Sequence, residues 1–194
     1  MSTLSRRDRT DATRQATETA LLDATIALLG EGHAYADLGI EQIVRAAGFS
    51  RPTFYTYFRD KRELILRLGE RLVGAVAAAG DPWLADAEGD IRPTLAGVLD
   101  AFRAHREILA ALVEAAGYDP EVKAFWRGFH DRFLDTAAAR IAERGVDKKH
   151  ARARAYGLVW MTERTISEHL DHPTVDERAL LDELTGFWEA AFTR

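Results

Sequence analysis

Residues 49–61 read FSRPTFYTYFRDK, and this stretch decides how the first part of the chain folds. It follows a short apolar helix pattern at residues 40–47 and one glycine, Gly48. A helix, a glycine turn and a short helix rich in hydroxyls, aromatic rings and cations form the order of a helix-turn-helix. The stretch therefore predicts a helix pair that can enter the major groove of DNA.

The start of the second helix carries groups suited to reading bases. Ser50 is placed to cap this helix, and Pro52 lies in its first turn, where a missing N–H costs nothing. Arg51 and Thr53 project from the N-terminal end, which in recognition helices meets base edges. An arginine can contact guanine with two hydrogen bonds, and a threonine methyl can touch a thymine methyl.

The rest of the stretch divides between packing and phosphate contact. Phe54 and Phe58 are four residues apart and are predicted to face inward. Tyr55 and Tyr57 offer hydroxyls within reach of phosphates. Lys61 stands where its charge and the free N–H groups of the next helix can share one phosphate. The competing interpretation makes all four aromatic residues the core of a helical hairpin, and it is accepted only for the two phenylalanines.

Composition limits the functional classes. The chain has 194 residues, of which 47% are hydrophobic and 29% charged, and it has no cysteine, so disulfides and thiolate sites are excluded. No apolar run approaches the roughly 18 residues of a membrane helix. The net charge is −5, yet residues 1–62 carry nine Lys/Arg against eight Asp/Glu. A local basic surface suits a protein that touches DNA with one end, although the charge counts alone favour a solvated charged face.

The apolar periodicity predicts an all-α fold of about nine helices. An arm at residues 1–11 is predicted to be basic and flexible, residues 12–62 to form the helix-turn-helix domain, and residues 63–194 to form a C-terminal helical domain. Asp60 and Thr174 are predicted to cap helices. The predicted helices span residues 12–29, 40–47, 51–58, 60–79, 92–103, 105–116, 121–144, 147–170 and 174–192, with a break at residues 80–82.

Residues 12–67 resemble the N-terminal domain of the TetR family of transcriptional regulators. The matching pieces are ALLDA at 20–24, IVRAAGFS at 43–50, TFYTYF at 53–58 and Lys61 followed by EL at 63–64. The resemblance implies an all-helical cytoplasmic homodimer that binds a near-palindromic DNA operator, usually as a repressor, and releases it when a small molecule binds the C-terminal domain. It implies no cofactor. The predicted DNA-contacting residues are Ile40, Ser50, Arg51, Pro52, Thr53, Tyr55, Tyr57 and Lys61. Tyr57 departs from the histidine common in the family.

The C-terminal part resembles the EthR-type branch of this family. The matching pieces are PEVKAFW at 120–126 and TERT at 162–165, followed by a proline break and a last helix with a tryptophan. The branch implies a long apolar tunnel for an apolar or amphipathic effector. Val159 and Thr162 stand where the branch can carry asparagines, which implies different polar anchoring. The predicted ligand-binding residues are Phe102, Trp126, His130, Phe133, Val159, Trp160, Met161, Thr162 and Trp188.

The last two helices are expected to form the dimer interface, as a four-helix bundle with the partner's pair. A symmetric dimer would place two recognition helices in successive major grooves, roughly 34–36 Å apart. We call the helix-turn-helix domain of each chain its head. A swing of the fourth helix is expected to separate the two heads of the dimer when ligand binds. The predicted interface residues are Leu158, Ile166, Leu180, Leu181, Leu184, Phe187 and Ala191.

Two other classes of protein compete with this interpretation. An enzyme is disfavoured because the chain lacks a serine elbow, a phosphate loop and cysteine, and its six histidines are scattered. His169, Asp171 and His172 resemble a metal site, but they fall at a helix end and a turn, so no metal is predicted. A helical protein-interaction module without sequence-specific DNA binding is the remaining alternative. It predicts that replacing Arg51 or Tyr55 leaves DNA affinity unchanged.

Overall fold

The computed structural model describes residues 6–85 and 89–192, and helices make up most of them. No strand occurs in these residues, and the predicted all-α class is confirmed. The described residues contain nine helices: α1 (Arg6–Gly30), α2 (Ile40–Ala46), α3 (Arg51–Tyr57), α4 (Lys61–Ala85), α5 (Arg92–Ala104), α6 (Arg106–Tyr118), α7 (Pro120–Glu143), α8 (Lys148–Asp171) and α9 (Glu177–Ala191).

The turn between α2 and α3 depends on Gly48. Its φ is +74°, a left-handed conformation that only glycine adopts cheaply. The Gly48 N–H donates to the Arg45 carbonyl at 3.2 Å, and the Phe49 N–H donates to the Val44 carbonyl at 2.8 Å. This pair of bonds closes the end of α2 as a Schellman motif. The chain consequently leaves α2 at a fixed angle, and that angle sets the direction of α3.

Packing of the two phenylalanines holds α3 against the other helices of the head. Phe54 is 0% exposed and Phe58 is 1% exposed. Their ring centroids lie 5.4 Å apart, in the same apolar cluster as Leu21 and Ile43. The prediction that both rings face inward is confirmed, and most other side chains of α3 are exposed, while Tyr57 is partly buried.

Two predicted helix starts need correction. The first helix begins at Arg6 and not at Ala12, because no glycine or proline interrupts residues 6–11. The remainder of the predicted arm lies outside the described residues. The last helix is capped by Asp176, whose carboxylate accepts the Ala179 N–H at 2.9 Å, and not by Thr174. Elsewhere, Asp60 accepts an N–H of the first turn of α4 as predicted, at 2.9 Å.

The predicted break at residues 80–82 is wrong, because α4 continues to Ala85. A proline inside a helix costs about 3 kcal/mol. Burial of the Trp83 ring, which is 4% exposed, offsets this with about 4–6 kcal/mol. The Arg140 guanidinium lies 4.1 Å from that ring. Gly80 is also needed here, because a β-carbon on it would lie 2.6 Å from the Phe133 ring.

The long α4 connects the two parts of the molecule. Its first turns bury Leu64 and Leu68 in the core, and further along Val76 lies among residues of α5, α7, α8 and α9. In that bundle α7 packs along α8, and α5 packs against α4 and α9. No helix within residues 6–85 and 89–192 combines the length and apolarity needed to cross a bilayer.

Candidate functional site

The N-terminal end of α3 lies on the surface of the head. Ser50 caps it as predicted, with its hydroxyl accepting the Thr53 N–H at 3.4 Å. The two hydroxyl oxygens of this pair also lie 2.9 Å apart. Arg51 and Pro52 are exposed, and Thr53 is partly exposed. This end of the helix can therefore approach another molecule directly.

Arg51 and Tyr55 orient each other on the exposed side of α3. One guanidinium nitrogen of Arg51 donates to the Tyr55 hydroxyl at 3.3 Å, and its carbon lies 5.8 Å from the ring centroid. Tyr55 is 48% exposed. A guanidinium placed over an aromatic ring loses less rotamer freedom when it binds a planar partner such as guanine. The pair thus forms a preorganised surface group one turn into the helix.

The other three residues predicted to contact DNA are less exposed. Ile40 and Tyr57 are both partly buried against the core of the head. The Lys61 ammonium donates to the Tyr35 carbonyl at 2.7 Å and to the Ala36 carbonyl at 3.1 Å. Partial burial lowers the pKa of this ammonium. Because two of its three N–H donors are occupied, only the third remains for the predicted phosphate contact.

A carboxylate from the C-terminal part holds the loop between α1 and α2. Glu114, on α6, accepts the Tyr35 N–H at 3.0 Å and the Ala36 N–H at 2.8 Å, so each of its oxygens binds one donor. The Tyr35 hydroxyl donates to the Lys61 carbonyl. Burial raises the pKa of that phenol, which stays protonated. We call Tyr35, Ala36, Lys61 and Glu114 the loop clamp.

A second connection ties the base of α4 to the turn before α7. The Arg62 guanidinium donates to Asp119 at 2.6 Å and to Glu121 at 3.0 Å. Asp119 also caps α7 by accepting two backbone N–H groups. The Arg62 hydrogen bond holds the pKa of the Asp119 carboxyl below its usual range. The head is therefore joined to α6 and α7 by charged contacts as well as by apolar packing.

An apolar cavity lies inside the C-terminal bundle, and its volume is about 60 Å³. A ligand of drug size needs several times more space, so it can enter only if lining side chains move. Sequence reasoning missed Trp83, Phe129 and Glu163, which also line the cavity. The predicted ligand-binding residues that line it are Phe102, His130, Phe133, Val159, Thr162 and Trp188.

Three other residues of the predicted ligand-binding set do not line this cavity. Trp160 stacks on the outer side of His130 with a ring separation of 4.0 Å and an angle of 6°. Trp126 meets the same ring edge-on at 4.7 Å. Met161 lies in a groove on the outer surface of α8 and α9. The two tryptophans thus support a cavity residue, and the methionine belongs to another surface.

The residues predicted to form the dimer interface separate into two groups. Ile166 and Leu184 are 0% and 2% exposed, so they belong to the core of this chain. Within the predicted interface set they supply the internal face, which apolar periodicity alone cannot distinguish from an external stripe on the same helix. Leu180 and Leu181 are partly buried on α9. The outer groove of α8 and α9 is lined by Leu158, Met161, Phe187 and Ala191.

The histidines near the end of α8 pair with different carboxylates. His169 Nε2 lies 3.6 Å from a Glu177 oxygen, and His172 Nδ1 lies 3.5 Å from a Glu168 oxygen. Within the described ranges, no group of three or more potential ligands could hold a metal ion.

An exposed recognition helix on a small head, joined to a helical bundle with an apolar cavity, defines a helix-turn-helix regulator of transcription. The description "Bacterial regulatory proteins, tetR family" matches residues 21–68, and "Transcriptional regulator EthR, C-terminal domain" matches residues 91–192. The chain belongs to the TetR family of bacterial transcriptional regulators, whose members are not enzymes, and its C-terminal domain is of the EthR type.

Individual relatives agree with this membership. The HTH-type transcriptional regulator EthR of Mycolicibacterium smegmatis is 32% identical over 182 residues, which cover 88% of this chain and 83% of the relative. EthR of Mycobacterium tuberculosis H37Rv is 31% identical over 185 residues, covering 88% and 84%. A TetR-family regulator structure from Syntrophomonas wolfei has a TM-score of 0.71 at 15% identity, covering 92% and 95%, which shows a shared fold.

Proposed function

We propose that this chain is a homodimeric repressor that binds a near-palindromic operator and is released by an apolar or amphipathic small molecule. The observation that carries the proposal is the division of α3. Its phenylalanines are buried, while Arg51 and Thr53 stand at the exposed N-terminal end. This is the arrangement by which a recognition helix meets base edges. The cysteine-free composition suits work on DNA in a reducing cytoplasm.

The operator can be tested by capture of genomic fragments on the purified full-length chain, followed by sequencing. We expect the enriched fragments to share an inverted repeat whose half-site centres lie about 10 base pairs, or a multiple of one helical turn, apart. Enrichment without a shared repeat would contradict sequence-specific binding by a symmetric dimer. A shared single site without a repeat would contradict the dimer but retain DNA recognition.

The dimer is proposed to form through the outer groove of α8 and α9. Phe187 supports this choice, because it is 51% exposed on a groove shared with Leu158 and Ala191. Large apolar side chains that stay exposed in a contiguous patch commonly mark an interface. Two copies meeting there would form the four-helix bundle expected for the family.

Replacing Phe187 by glutamate is expected to raise the dimer dissociation constant at least tenfold. Burial of a phenylalanine contributes about 1.5–3 kcal/mol, and a carboxylate at the same place must also lose its hydration. Sedimentation velocity over a concentration series measures the effect. Val113→Glu is the matched control, because Val113 is 41% exposed on α6, away from this groove. A Phe187→Glu chain that dimerises as tightly as the Val113→Glu chain would place the interface elsewhere.

The cavity is proposed to be the effector site. It is lined mainly by apolar side chains from α4, α5, α7, α8 and α9, so a ligand inside it contacts every helix of the C-terminal part except α6. Because its volume is about 60 Å³, an effector site here has to expand on binding. If the cavity expands, α5 must move because it lines the cavity, and α6 follows α5 directly in the chain. The loop clamp at the other end of α6 offers a route from the cavity to the head.

A further inference from the structure

Two hydrogen-bond acceptors meet at one place on the cavity wall. His130 of α7 and Glu163 of α8 both line the cavity, with His130 Nε2 at 3.9 Å from a Glu163 oxygen. The side chains are 2% and 12% exposed. That distance is too long for a direct hydrogen bond. The two groups face each other without being joined.

The contacts of the imidazole fix which nitrogen carries the proton. His130 Nδ1 lies 2.8 Å from the Trp126 carbonyl, which can only accept, so Nδ1 is the donor. Burial lowers the pKa of His130 and favours the neutral ring. Nε2 is then an acceptor, and it is buried without a partner. Stacking on Trp160 prevents the ring from turning away.

Glu163 has one acceptor oxygen to spare. Its other oxygen accepts the Ser167 hydroxyl at 3.0 Å. Burial raises the pKa of the Glu163 carboxyl, because nothing nearby compensates its charge fully. The neighbouring Thr162 hydroxyl on α8 accepts the Trp188 indole N–H at 2.9 Å, and its own O–H can still donate. His130 Nε2 and the second oxygen of Glu163 therefore face each other as two acceptors, and a ligand that brings N–H donors can join them.

We propose that this site takes the head group of an amphiphile carrying a protonated primary amine, with its hydrocarbon part among the aromatic side chains. An ammonium supplies up to three N–H donors, which can satisfy Nε2 and the free carboxylate oxygen together. It also neutralises the Glu163 charge, and the rings of Phe129 and Phe133 offer faces that attract cations. A carboxylate head would meet two acceptors and a like charge, and an alcohol can donate only one hydrogen bond.

This inference rests on the proposed effector site, and one experiment separates the two. Hexylamine, hexanol and hexanoate share one short chain and differ only in the head group. Isothermal titration calorimetry at pH 7 on the full chain, where the amine is protonated, gives their relative affinities. We expect hexylamine to bind about tenfold more tightly than hexanol, the ratio between a charge-assisted and a neutral hydrogen bond. Hexanoate is expected to bind most weakly.

The Glu163→Gln variant tests the assignment to this residue. Glutamine retains an acceptor for Ser167 but removes the charge, so the preference for hexylamine over hexanol should fall by about tenfold. Glu168→Gln is the matched control, since Glu168 lies on the same helix, exposed and bonded to Arg164. That variant should retain the preference.

Three outcomes would count against these ideas, each in a different way. If the unaltered chain bound hexanol or hexanoate more tightly than hexylamine, the amine assignment would be overturned and the proposed effector site would remain. An amine preference that survives in Glu163→Gln would overturn the role of this carboxylate. Failure of all three compounds to bind would contradict the effector site itself, and with it the amine inference. The comparison among head groups needs no variant, so it holds even if a substitution impairs folding.

Discussion

Replacing Arg51 by alanine is expected to weaken operator binding by between roughly 30-fold and 10⁴-fold. A bidentate arginine–guanine contact discriminates by about 1–3 kcal/mol, and a dimer loses one such contact at each head. Tyr55 already holds the guanidinium on the exposed face of α3, so little of this energy is spent on ordering the side chain. Fluorescence anisotropy on the captured operator, at one fixed salt concentration, measures the loss.

Arg45→Ala is the control for this experiment. Arg45 is an exposed cation on α2 of the same head, and it has no predicted base contact. Its removal should cost no more than about fivefold, because an exposed charge contributes about 0.5 kcal/mol at each of the two heads. If both variants lost the same small amount of affinity, base reading by Arg51 would be contradicted. An unaltered affinity in Arg51→Ala would favour the protein-interaction module over the repressor.

The head could be predicted from the sequence because its constraints are local. A left-handed residue between two short helices requires a glycine, and Gly48 is there. The cap at Ser50 and the inward faces of Phe54 and Phe58 follow from spacings of three and four residues. In each case the residues that decide the structure stand within one helical turn of each other.

The C-terminal part was harder to predict because its decisive contacts join distant residues. The α4 helix passes the proline at residue 82, since Trp83 finds Arg140 and Trp188 to pack against. Ile166 and Leu184 have the same apolar character as an interface residue, and only the packed structure shows them inside. Glu114 and Tyr35 are separated by 79 positions, so no motif could link them.

Replacing Glu114 by glutamine is expected to uncouple effector binding from DNA release. The glutamate accepts one backbone N–H on each oxygen, at 3.0 and 2.8 Å. A glutamine can accept only one of them, and its NH₂ group then faces the other donor. The loop that positions α2 would lose one of its two hydrogen bonds to residue 114. It would also lose the negative charge that strengthens both hydrogen bonds. The head would consequently follow movements of α6 less closely.

The size of the effect follows from coupling energies between sites. An effector typically changes the affinity of a regulated site by about 5–150-fold, and the Glu114→Gln variant should reduce that factor to about threefold or less. The effector dissociation constant should stay within about twofold of the unaltered chain, because Glu114 does not line the cavity. Operator affinity is measured with and without whichever of the three hexyl compounds binds most tightly.

Glu107→Gln separates the loop clamp from a general effect of charge on α6. Glu107 is the other carboxylate of this helix, and its nearest cation is the neighbouring Arg106, at 3.9 Å. When the effector binds, operator affinity should fall in this variant by the same factor as in the unaltered chain. Coupling is reciprocal, so operator DNA should also change the effector affinity less in Glu114→Gln than in Glu107→Gln. Equal release by the two variants would mean that the signal reaches the head through the apolar packing of α4 and not through Glu114.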